Sequence, residues 1–140
     1  MISRLVFGFV AGLLSVLVVH QTALYFGARL GFPGGPAWSM APWAAPVALP
    51  LRVPQVVATA LLGGLWGVAL TAALPRIGAG LVGAVSAVLI FALLISAVGW
   101  LHGPALTGGP GFVASRAIYP LAYNAVWAIG ALAALRVASR

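Results

Sequence analysis

Four long apolar runs lie along the chain, at residues 5–26, 55–74, 79–101 and 117–137. Each is long enough to cross a hydrocarbon core of about 30 Å, which takes about 20 helical residues. The runs are apolar on every side, as helices in lipid are. The alternating segments of about ten residues that mark membrane strands are missing. The pattern predicts an all-α polytopic membrane protein, with four transmembrane helices in a compact bundle and a single membrane domain over residues 1–140. Pro54 precedes the second run and Pro120 falls in the first turn of the fourth, where a missing N–H does no harm. The first run is longer than the 7–15 residues typical of a cleaved signal core, and no A-x-A site follows it, so it is expected to remain as a span.

The connections are unequal. Only residues 75–78 join the second and third runs, whereas residues 27–54 and 102–116 form long loops. The first long loop carries Pro33, Pro36, Pro42, Pro46 and Pro50 among apolar residues, including Trp38 and Trp43. It is too apolar for disorder, and structureless loops beyond about 12–15 residues are uncommon. Residues 36–50 are therefore expected to lie as an ordered, Pro-rich segment at the outer membrane interface. A lid or partly re-entrant cap is the alternative. Trp38, Trp43 and Trp100 are the expected interfacial aromatics.

Charge then fixes the setting. The chain has seven Arg, no Lys and no Asp or Glu, and charged residues make up 5% of it, against about 25% in soluble domains. Four spans put Arg4, Arg76, Arg136 and Arg140 on one side and Arg29, Arg52 and Arg116 on the other. The positive-inside rule then predicts both termini in the cytoplasm, with both long loops outside. The arginines occur singly at the ends of runs, so a nucleic-acid stripe is excluded. Their expected partners are anionic lipid headgroups. Without a carboxylate side chain there is no acid/base pair, no Ser-His-Asp triad, no Mg or Ca cage and no carboxylate proton relay. With no Cys there is no thiolate site, and two His are too few for a three-ligand zinc centre. No cofactor and no enzymatic activity are expected. Haem, held by His20 and His102, is the one metal alternative.

Small residues recur at helical spacing: Gly8 and Gly12, Gly63 and Gly67, Gly83 between Ala79 and Ala87, and Gly130 with Ala134. Such faces let helix backbones approach closely, and they are expected to pack the bundle or a partner helix. Polar residues gather in the outer half. His20 lies about 9 Å below the end of the first run, and Asn124 about 10 Å below the start of the fourth, at 1.5 Å per residue. His20, Gln21 and Asn124 thus share a depth, with Thr59, Ser96 and His102 in the same half. Buried amides and imidazoles need partners in hydrocarbon. A hydrogen-bonded cluster of His20, Gln21 and Asn124 is expected, with Tyr123 or Tyr25 nearby, either as glue between spans or as a pocket open to the outside.

Several motifs occur together: His20-Gln21 late in the first run, Met40-Ala41-Pro42, Val53-Pro54, Gly63-Gly64-Leu65-Trp66-Gly67, and Asn124-x-x-Trp127-x-x-Gly130. In this the chain resembles a group of short four-span proteobacterial membrane proteins with no assigned activity. The resemblance implies four spans in a bacterial inner membrane and implies nothing about mechanism. The residues themselves favour a non-enzymatic accessory or scaffolding subunit that packs against a partner membrane protein or a second copy. The alternative is a small homo-oligomeric transporter or channel with an outer-side polar pocket.

Overall fold

In hydrocarbon a backbone must close its hydrogen bonds within the spanning element, and helices do so with no help from neighbours. The computed structural model describes residues 2–33, 47–48, 53–107 and 111–138, and it is an all-α bundle. It contains four helices long and apolar enough to cross a membrane, as a multi-pass membrane protein requires. The first comprises α1 (Ile2–Leu14), a π-helical segment (Ser15–His20) and α2 (Gln21–Arg29). The others are α3 (Gln55–Ile77), α4 (Gly80–Thr107) and α5 (Ile118–Ala138).

The π segment changes the register of the first span. Its inward positions step by four through Gly8, Gly12 and Val16, then jump five to Gln21 before continuing at Leu24 and Gly27. A π turn accommodates one extra residue in this way. Without it, the step of four would point His20 inward rather than Gln21.

Helix ends run beyond the apolar runs. α3 continues through Pro75 and Arg76 to Ile77, because a proline in the last turn removes only one i→i−4 bond. Arg76 Nη1 donates back to the Ala72 carbonyl at 3.3 Å. The helix then stops at Gly78 (φ 107°), and α4 begins at Gly80 (φ 76°). Both angles belong to glycine, since a Cβ there strains the chain. α4 extends to Thr107, so the loop expected from residue 102 starts later. Polarity ends the apolar run at His102, but it does not end the helix. Of the long first loop, Val47–Ala48 (β1) and Val53–Pro54 (β2) form a short antiparallel pair, in the register Val47↔Pro54 and Ala48↔Val53. Trp38 and Trp43 lie outside the described residues.

The helices pack in the cyclic order α1, α3, α4, α5. α1 lies most extensively on α3, and α4 packs more on α5 than on α3. Glycine explains the first seam. A Cβ on Gly12 would collide with the Gly63 carbonyl, and one on Gly67 with the Gly8 carbonyl. Here backbone meets backbone, which compensates for the missing hydrophobic drive between helices in lipid. Beside the seam, the Phe9 ring fills the space over Gly64, and Val19 with Ser15 fills that over Gly130. Gly83 differs from the expectation of helix packing. The space over its Cα is closed by the Gly78 carbonyl, in the turn that leads into its own helix. The core is centred on Val16, Leu70, Ala87, Phe91, Trp127 and Ala131. The Trp66 and Phe91 rings meet edge-on at 6.2 Å and join α3 to α4.

Candidate functional site: a cavity at the His20 end

All four spans contribute to a cavity of about 240 Å³. Val16 and His20 come from the first span, Thr59, Gly63 and Trp66 from α3, Ile95 and His102 from α4, and Asn124 and Trp127 from α5. The small residues of α3 leave room on one wall, and the light α3–α4 packing leaves room on another. Pockets that take drug-sized ligands span about 300–1,000 Å³, and this half-open space lies just below that range. His20 and His102 both line it.

The hydrogen bonds around the cavity differ from those the sequence suggests. Asn124 Nδ2 donates to Ser96 Oγ at 2.9 Å, tying α5 to α4, and not to His20 or Gln21. Ser96 is 2% exposed. Ser15 Oγ donates to the Trp127 carbonyl at 2.6 Å, and Trp127 Nε1 donates to the Gly12 carbonyl at 3.0 Å. Trp127 thereby joins α5 to the first span from both its backbone and its side chain, with its indole next to Gly63 of α3. Each bond takes up a backbone or hydroxyl group that would be costly to bury alone.

His20, Gln21 and Tyr123 come close without bonding. The His20 and Tyr123 rings meet edge-on at 6.2 Å and 71°. His20 Nδ1, Gln21 Oε1 and the Tyr123 hydroxyl are buried with no hydrogen-bond partner among the described residues. The π segment is the geometric cause, since it turns Gln21 into the bundle and leaves His20 to one side. Tyr123 points its hydroxyl at Gly27, where a Cβ would collide with it. Tyr25 is drawn away from this group. Its phenol oxygen accepts from Arg29 Nε and Nη2 at 3.2 and 3.1 Å, and the guanidinium also lies 5.4 Å from the ring centroid.

An aromatic layer caps this end. Trp100 meets Phe112 edge-on at 5.0 Å, and Phe32 meets Tyr119 at 5.7 Å. The bonds made by Ser15, Ser96 and Trp127 are not among those the sequence suggests. The available signal was spacing: Trp127 is three positions after Asn124 on one helix face, and Ser96 shares the polar half. No protein-family model, curated protein or solved structure matches the chain.

Proposed function

We propose that the protein acts without covalent chemistry, as an accessory subunit of a bacterial inner membrane that packs against a partner membrane protein or a second copy. Both termini lie in the cytoplasm in this reading. The observation that carries it is the use made of the polar side chains. The hydroxyls of Ser15, Ser96 and Thr22 are engaged by the Trp127 carbonyl, the Asn124 amide and the Val18 carbonyl, and none of these partners is a base. The chain also has no carboxylate side chain to orient a base.

The surface offered to a partner is α4. Its Leu81, Val82, Leu89, Leu93 and Leu101 are all more than half exposed. Gly8, Gly12, Gly63, Gly67 and Gly130 are occupied within the bundle, so association runs over these larger side chains. The test is photo-crosslinking in membranes from Leu89, with Phe7 on α1 as comparison. A stoichiometric adduct of one defined mass is expected from Leu89 and not from Phe7. Equal, heterogeneous adducts from both positions count against the proposal. For the orientation, an alkaline phosphatase fused after Arg140 is expected to stay inactive.

The cavity of about 240 Å³ favours a second reading, a small homo-oligomeric transporter or channel. That reading requires a symmetric oligomer and solute flux in liposomes, which the accessory reading does not.

A further inference from the structure

We infer that the bundle end opposite the His20 cavity binds an anionic phospholipid, with the phosphate between Arg4 and Arg136 and an acyl chain in the groove between α4 and α5. This rests on the bundle lying in a bilayer, and not on the accessory role.

A second cavity, of about 490 Å³, opens at this end and is lined by Ser3, Arg4, Thr71, Gly78 and Arg136 among others. Two guanidinium groups therefore border one space. Guanidinium binds phosphate through paired N–H donors, and it does so best where water is scarce. Thr71 adds a hydroxyl. The residue is 2% exposed, and its Oγ1 has no hydrogen-bond partner among the described residues. The turn contributes openness, since a Cβ on Gly78 or Gly80 would meet nothing within 4 Å.

The cavity does not end at the charges. Ala84, Leu132 and Arg136 also line a groove of about 320 Å³ that runs between α4 and α5 over Val88 and Ala133. Apart from Arg136, that groove is apolar. A charged head site leading straight into an apolar channel matches an amphiphile with a phosphate at one end. A free phosphate would use the cavity and leave the groove without a role. This is also the end that the arginine distribution turns to the cytoplasm, where anionic lipid is concentrated.

The experiment is native mass spectrometry of the full chain in mild detergent, with phosphatidylglycerol or phosphatidylcholine of identical acyl chains as probe. Selective retention of phosphatidylglycerol is expected. Arg4→Gln with Arg136→Gln should lower its occupancy about 30-fold, at the known contribution of each basic residue near an anionic surface. Arg116→Gln, at the far end, should leave it unchanged. Ala133→Phe narrows the groove without altering charge, and should weaken phosphatidylglycerol while leaving binding of glycerol phosphate as it was. If the double Gln variant does not fold, Arg4→Lys with Arg136→Lys keeps the charge, and it should retain the lipid within a few-fold. Equal retention of both lipids, an equal loss in Arg116→Gln, or an Ala133→Phe variant that binds phosphatidylglycerol normally would each overturn the inference. Resistance of the protein to alkaline extraction from membranes checks the bilayer placement separately.

Discussion

Asn124 and His20 border one cavity, yet truncating them should move stability in different directions. The Asn124 amide bonds Ser96 across α4 and α5. Hydrogen bonds between membrane helices contribute about 0.6–2 kcal/mol, so Asn124→Leu should lower thermal stability in detergent by that amount. His20 Nδ1 has no such partner. Replacing an unsatisfied buried polar group with an apolar one of similar size is neutral or stabilising. His20→Leu should therefore leave the melting temperature unchanged or raise it. Any loss of a cellular phenotype in that variant then reports a role for the cavity rather than for the fold. Trp127→Phe removes the bond to the Gly12 carbonyl and leaves part of the buried indole's volume empty, so it should cost more than Asn124→Leu.

Within the helices, glycines that look alike in sequence differ in what surrounds them. Gly67→Ala pushes a methyl into the Gly8 carbonyl and should cost about 1–3 kcal/mol, as overpacking does. Gly99→Ala meets nothing within 4 Å and should gain up to about 1 kcal/mol of helix propensity. A denaturation series over these two variants checks both signs. The π segment makes a sharper case. Deleting Val18, which is 61% exposed, restores a step of four between Val16 and the residue now numbered 21, and leaves both buried faces aligned. Deleting Val10 from α1 turns Gly8 by about 100° relative to everything after it, and should abolish folding. Circular dichroism with thermal melts separates a tolerated deletion from a lethal one. These contrasts also show what the sequence made legible. Span number and apolar extent follow from run length, because lipid demands about 20 residues. The α1–α3 seam was legible as Gly8-Gly12 and Gly63-Gly67, but not the choice of those two helices as partners. The depth of His20, Gln21 and Asn124 could be counted in residues, but their bonding could not. Depth follows from the rise per residue, whereas facing depends on 3.6 residues per turn, and the π segment breaks that period at the polar end.

At the scale of the whole molecule, polarity is divided between two ends that differ in make-up. The His20 end holds the small cavity and carries the aromatic pairs Trp100 with Phe112 and Phe32 with Tyr119. The other end gathers Arg4, Arg136 and the glycine turn around a larger, more open space. The glycine seam has a mechanical consequence. Where α1 meets α3 through backbone atoms, no rotamers are available to rearrange, so the two behave as one rigid plate. α4 is joined to that plate by a turn with two glycines at positive φ and packs lightly on α3. Because α4 is also tied to α5 through Asn124 and Ser96, opening is expected along the α3–α4 contact. Both helices border each space, with Trp66 and Ile95 at one and Thr71 and Ala84 at the other, so one such opening is expected to change the size of both.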